Sequence, residues 1–153
     1  MSSPAITVIV PGRDVAEFAG EALHSLQAQS FDRWRAVLVD DASTDDTRRL
    51  FADAAAADPR FSLVEHRQPR GLGAARNSGL DRVETPYTAF LDADDRLRPD
   101  ALERLWGTLH GSGSNIVVGA YVRPRPDANR PGEGGVAMQP EVPGVTHPAL
   151  APL

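Results

Sequence analysis

Ile6-Thr7-Val8-Ile9-Val10 is an unbroken run of β-branched residues, and behind it Val15, Phe18, Ala19, Ala22, Leu23 and Leu26 recur at three- and four-residue spacings. The first stretch has the length and composition of a strand buried on both faces. The second lays one apolar stripe along a helix over about 15–29. The pattern then repeats outward. Short apolar runs at 36–39, 61–64, 87–91 and 116–118 predict further strands. Helices are expected from near Ser43 to Asp58-Pro59, over 73–83, and from Pro99-Asp100 to Gly111. Continuous apolar strands separated by helices indicate an α/β fold with a mostly parallel sheet covered on both faces, in which ligands bind beyond the carboxyl ends of the strands.

The chain has 153 residues, enough for one core of ordinary size. Proline and glycine divide it unevenly: 123–153 holds 7 of the 13 prolines and no periodic apolar pattern. The expected organisation is therefore a folded domain over 1–122 followed by a linker-like tail over 123–153. The formal net charge of -5 argues against binding nucleic acid through a basic surface. Every one of the 16 cationic residues is arginine, which excludes Schiff-base lysines and lysine-bearing phosphate loops. With no cysteine, thiol nucleophiles and cysteine-ligated zinc are excluded as well. No apolar run approaches the ~18 residues of a membrane span. The expected location is the cytoplasm, with peripheral association at the inner face of the membrane compatible with it.

Asp40 and Asp41 follow the second expected strand, and Asp92, Asp94 and Asp95 follow the fourth. Five carboxylates are thus expected on one rim of the sheet. Two carboxylates ~4 Å apart repel by roughly 4 kcal/mol at an effective dielectric of ~20, so such a cluster binds a cation, pairs with arginine or holds a proton. A divalent cation is the simplest neutraliser. Oxygen-only ligands suit Mg²⁺ or Mn²⁺, which take one or two protein carboxylates and complete their shell with substrate phosphates. Asp is also a common turn and capping residue, which leaves Asp40, Asp41 and Asp45 an equally good structural reading.

Thr7-Val8-Ile9-Val10-Pro11, Phe31-Asp32-Arg33-Trp34-Arg35, Val39-Asp40-Asp41-Ala42-Ser43-Thr44-Asp45, Gly71-Leu72-Gly73-Ala74-Ala75-Arg76-Asn77-Ser78-Gly79 and Phe90-Leu91-Asp92-Ala93-Asp94-Asp95 follow one another in this order. Together they resemble the family 2 glycosyltransferases of the Rossmann-like GT-A fold, over residue 5 to about residue 122. The resemblance implies transfer of a sugar from a nucleotide-diphosphate sugar to an acceptor hydroxyl on a glycan or lipid, inverting and metal-dependent, of the kind used in polysaccharide or cell-envelope biosynthesis. It implies that Pro11, Gly12, Arg13 and Asp14 line the base and ribose pocket, and that Asp41 accepts a hydrogen bond from the base. Ala75-Arg76-Asn77 would shape the donor pocket, with Arg76 on a phosphate or on a rim acid. Asp92, Ala93 and Asp94 correspond to the acidic donor motif, and Asp94 and Asp92, with Asp95 beside them, to the metal ligands.

The sequence also departs from that family. Gly12, Arg13 and Asp14 stand where an apolar residue, an aromatic and an asparagine are usual, so base stacking would fall to the Arg13 guanidinium, while Asp14 is also suited to cap the first helix. The inverting mechanism needs a carboxylate base downstream of the acidic motif, and Glu133, Glu141 and His147 all lie in the proline-rich tail. The expectation is a donor-binding half truncated at its C-terminal side. Two alternatives stand beside it: a nucleotide-sugar-binding module without turnover, and a phosphatase using Asp92 as nucleophile. The second expects a lysine downstream, and there is none. Gly71-Leu72-Gly73 starts like a dinucleotide fingerprint, but Arg76 occupies the third glycine's place. His24, His66, His110 and His147 show no metal-binding spacing and read as structural.

Overall fold

A computed structural model of the chain describes residues 3–119. Four strands and four helices alternate: β1 (Ile6–Gly12), α1 (Ala16–Gln27), β2 (Trp34–Asp40), α2 (Thr47–Ala57), β3 (Phe61–Glu65), α3 (Leu72–Leu80), β4 (Tyr87–Phe90) and α4 (Ala101–Ser112). Every strand pair is parallel, in the order β3-β2-β1-β4. All carboxyl ends therefore reach the same edge of the sheet. This is the α/β architecture that the alternation of apolar runs and helical stripes predicts.

Side chains alternate across the pleat and build two layers of unequal depth. Ile6, Val8 and Val10 of β1 join Ala36 and Leu38 of β2 in the larger layer, with Ala19, Leu23 and Leu26 of α1, Phe51 of α2 and Leu102 of α4. Each fully buried Leu, Val or Phe contributes about 1.5–3 kcal/mol, so this layer supplies most of the folding energy. On the opposite face Ile9, Val37 and Val39 meet Ala75 of α3, with Val64 and Val83 at the margin. That layer is thin because α3 lies very close to β1. A Cβ placed on Gly79 would overlap Ile9 Cγ2, so only glycine permits this approach.

Three expectations need correction. Ser43, read as a cap for the second helix, serves another loop, while Asp45 serves both, its Oδ1 accepting from Thr47 N at 2.9 Å at the start of that helix. Asp14 N donates to Ser43 Oγ at 3.1 Å, Val15 N to Thr47 Oγ1 at 2.8 Å and Ala16 N to Asp45 Oδ2 at 3.0 Å. The free amides at the start of α1 are thus capped from Ser43, Asp45 and the first residue of α2, which itself opens only at Thr47. The third helix covers Leu72–Leu80, and 81–83 continue it as turns, with Arg82 N on Gly79 O and Val83 N on Leu80 O, both at 3.0 Å. Residues 116–118, expected as a fifth strand, form irregular backbone with Ile116 80% and Val118 86% exposed. β-Branched composition alone does not make a strand without backbone partners alongside.

The chain divides after Asn115 into two units, and only 116–119 of the second are among the described residues. Glu133, Glu141 and His147 lie outside the described residues. Among those described, no helix is long and apolar enough to cross a membrane.

Candidate active site

The register of the sheet assembles the site. Gly12 pairs with Asp40 at the ends of β1 and β2, and Asp41 N then donates to Gly12 O at 3.0 Å. Beyond β4 the chain stays on the other flank of β1: Leu91 N donates to Ile9 O at 3.0 Å and Ala93 N to Pro11 O at 3.3 Å. The two acid-bearing loops are therefore tied to either side of Pro11-Gly12. Between them opens a cleft of about 370 Å³, floored by Pro11, Gly12 and Ala93 and lined by Arg13, Asp41, Asp92 and Asp94. Val15, Ala75, Gly71 and Leu72 complete it, the last two at the start of α3.

Asp41 is 3% exposed. Its Oδ1 accepts from the His66 ring at 2.6 Å and from Arg70 N at 2.8 Å, and its Oδ2 accepts from Gly71 N at 2.8 Å. Gly71 has φ 86°, a left-handed backbone that aims its amide at the carboxylate. Burial pushes the Asp41 carboxyl up, but the hydrogen bonds from His66 and the two amides outweigh it and hold the group below its usual range. Asp41 is thus an ionised, buried acceptor.

Asp92 and Asp94 stand in a different environment. Arg76 Nη2 lies 2.8 Å from Asp92 Oδ1 and 3.1 Å from Oδ2, so the arginine of α3 partners a rim acid rather than waiting free for phosphate. The Arg76 guanidinium also lies over the Phe90 ring, 5.7 Å from its centroid. Asp94 is exposed and makes no hydrogen bond or ion pair among the described residues.

Five acids do not meet on the rim. Asp40, on the same face as Ala36 and Leu38, is 1% exposed beneath it and accepts from Ser43 N at 3.3 Å through Oδ2. Asp95 does not line the cleft, and its amide closes a turn on Asp92 O at 2.9 Å. Asp14, at φ 51°, turns its Oδ1 to Thr44 N at 2.7 Å and Thr44 Oγ1 at 3.1 Å, so it clasps the 43–45 loop and caps no helix. Arg13 is half-exposed on the cleft wall, its Nε 3.6 Å from Asp14 Oδ2.

Among the described residues no three acids or histidines gather closely enough to hold a metal ion unaided. Mg²⁺ and Mn²⁺ do not require that: one or two carboxylates suffice when bound phosphates supply the remaining oxygens. Asp94, open to the cleft, with Asp92 beside it, fits such a shared ion.

Sequence reasoning missed Val15, Gly71 and Leu72 in the lining, and His66 behind Asp41. His66 follows β3 directly, so the strand-end rule that selects Asp41 and Asp92 also selects it.

Comparison with known proteins agrees with this architecture. A family model described as glycosyl transferase family 2 matches residues 7–140. TuaG of Bacillus subtilis, named for teichuronic acid biosynthesis, is 36% identical over 101 residues, covering 66% of this chain and 40% of TuaG. Staphylococcus aureus TarS 1-349, solved in complex with UDP-GlcNAc, superimposes with a TM-score of 0.67 at 26% identity, covering 72% of this chain and 32% of that one. The mannosyltransferase PcManGT of Pyrobaculum calidifontis, solved with GDP-Man and Mn²⁺, gives 0.65 at 31% identity, covering 71% of this chain and 33% of that one. This chain thus spans well under half the length of each. None of these findings supports the phosphatase alternative.

Proposed function

The chain belongs to glycosyl transferase family 2, and on that premise we propose that it binds a nucleotide-diphosphate sugar in the cleft at the carboxyl edge and takes part in inverting, metal-dependent transfer of the sugar to an acceptor hydroxyl. The observation that carries this reading is the pairing, across Pro11-Gly12, of a buried acceptor at Asp41 with the open acid Asp94 and the Arg76-paired Asp92 beside it. One end suits a neutral base and the other a charged diphosphate. The UDP-GlcNAc and GDP-Man bound by the two structural neighbours are ligands of that kind.

In this proposal residues 1–122 form the donor-binding domain and 123–153 a linker or the start of an acceptor-binding part. Asp41 accepts an N–H of the base, and Arg13 lies along base or ribose in place of an aromatic ring. Pro11, Gly12 and Ala93 give the donor a close backbone floor. Asp14 keeps the Arg13 loop in place through the 43–45 clasp. Arg76 orients Asp92, and Asp94 with Asp92 would hold Mg²⁺ or Mn²⁺, with Asp95 supporting the turn. A cation there supplies charge neutralisation for the departing diphosphate. The acceptor would be a glycan or lipid hydroxyl of a cell-envelope polysaccharide, reached in the cytoplasm at the inner face of the membrane.

The test is incubation of this chain with radiolabelled UDP-GlcNAc or GDP-mannose, Mn²⁺ and an envelope acceptor fraction. Label transfer that EDTA abolishes, with inverted anomeric configuration in the product, supports the full reading. Donor binding without transfer supports the narrower one, a donor-binding module without turnover. Absence of donor binding with Mn²⁺ present contradicts both.

A further inference from the structure

The His66 side chain is 5% exposed, and both of its ring nitrogens are engaged: Nδ1 lies 2.6 Å from Asp41 Oδ1 and Nε2 lies 2.8 Å from Ser78 Oγ. An ionised carboxylate donates nothing, so Nδ1 carries a proton toward Asp41. In the neutral ring Nε2 is then an acceptor, and the Ser78 hydroxyl donates to it. With Arg70 N also on Oδ1, that oxygen has its two donors. Oδ2 has only Gly71 N and keeps one place, on a residue that lines the cleft. The order Asp-His-Ser is also that of a hydrolase triad, but Ser78 does not line the cleft, so its hydroxyl has no substrate to attack.

We propose that His66 and Ser78 are positioning residues that make the site selective for the nucleobase of the donor. Ser78 fixes the His66 tautomer, and His66 N–H holds the Asp41 carboxylate so that Oδ2 offers one fixed acceptor site to the ligand. Uracil, thymine and guanine present a ring N–H on the Watson–Crick edge and satisfy it. Cytosine and adenine present a ring-nitrogen lone pair there, and two acceptors then face each other in a buried place. The inference rests on the donor-binding reading above and adds to it the class of base and the residues that enforce it.

UDP and CDP differ only in the base, so calorimetric titration of each into this chain with saturating MnCl2 isolates the effect. The wild type should bind UDP at least about tenfold more tightly than CDP, the expected cost of one mispaired buried acceptor. His66→Leu should cut that ratio below about threefold by weakening UDP and not CDP, because only the UDP contact depends on the held carboxylate. His66→Asn, whose amide can stand in for Nδ1–H, should restore most of the ratio. Ser78→Ala, which keeps the ring and loses the tautomer lock, should fall between. Should His66→Leu fail to melt cooperatively, Ser78→Ala and His66→Asn carry the comparison. An unchanged UDP/CDP ratio in folded His66→Leu, or in Ser78→Ala where the leucine variant is unfolded, overturns the proposal alone, as does equal binding of UDP and CDP by the wild type. Binding of neither nucleotide by the wild type overturns the donor-binding reading together with it.

Discussion

At the end of β2, Asp41 is 3% exposed and takes three hydrogen bonds from the protein, whereas beyond β4 Asp94 is exposed and takes none among the described residues. Both are aspartates a residue or a few past a parallel strand, and both line the same cleft. The fold has completed one before any ligand arrives and left the other incomplete. A buried carboxylate must be satisfied internally or it destabilises the chain, and once satisfied it can spare only a single acceptor position for a ligand. An exposed one costs little to keep and retains its full charge for a cation or a charged partner. Asp92 lies between these limits, with its charge met by Arg76.

The sharpest way to break this contrast is Asp94→Ala. It should weaken Mn²⁺-dependent donor binding by about 100-fold, equivalent to about 2.7 kcal/mol, while the melting temperature stays within about 2 °C. Unchanged donor affinity would mean that the open acid is only surface. Asp41→Ala should show the opposite balance in a thermal melt. Its loss strands His66, Arg70 N and Gly71 N and should cost about 2–3 kcal/mol, with a fall in Tm of roughly 10 °C.

Acid titration tests the same asymmetry through charge. Asp41 is held below the ordinary 3.8, and Asp58, bonded to the Arg60 guanidinium against the opposing effect of burial, falls to about 2. A depressed carboxyl stabilises fully above its unfolded value and loses that contribution as pH drops through its folded value. Stability should hold above pH 4 and decline between 3.8 and about 2, with a shallower decline in Asp41→Asn. Denaturant melts across that window would show it. The smallest effect concerns backbone: Ala42, next to Asp41, sits at φ 57°, where a side chain costs about 1 kcal/mol. Ala42→Gly should raise Tm by about 4 °C without altering donor affinity.

Much of this was legible in the residues because local pattern and burial agree. Short apolar runs mark β1 to β4, three- and four-residue spacings mark α1, capping, proline and glycine signals mark α2 to α4, and acids after strands mark the cleft. What was not legible depends on partners distant in sequence. Ser43 looks like a cap for α2, but Asp14 N, about 30 positions earlier, claims it, and Asp45 divides its two oxygens between Thr47 N of α2 and Ala16 N of α1. Whether Arg76 meets a phosphate or Asp92 cannot be read from spacing, since α3 and the loop past β4 meet only in the folded sheet. The burial of Asp40 was available in principle: alternation puts it on the face of Ala36 and Leu38. His66 carries no metal-binding spacing, and what marks it is its place directly after β3.

The proposal stands or falls on whether Asp92 and Asp94 hold a divalent cation against a diphosphate beside β1. Paramagnetic broadening of amide signals by substoichiometric Mn²⁺ in the presence of UDP tests it most directly. The signals of Gly12, Ala93, Asp94 and Asp95 should be lost selectively, and not in Asp94→Ala. The indole signal of Trp106, whose ring packs 5.4 Å from Tyr87 at the opposite edge of the sheet, should persist. Broadening centred elsewhere, or the same pattern in wild type and variant, would contradict it.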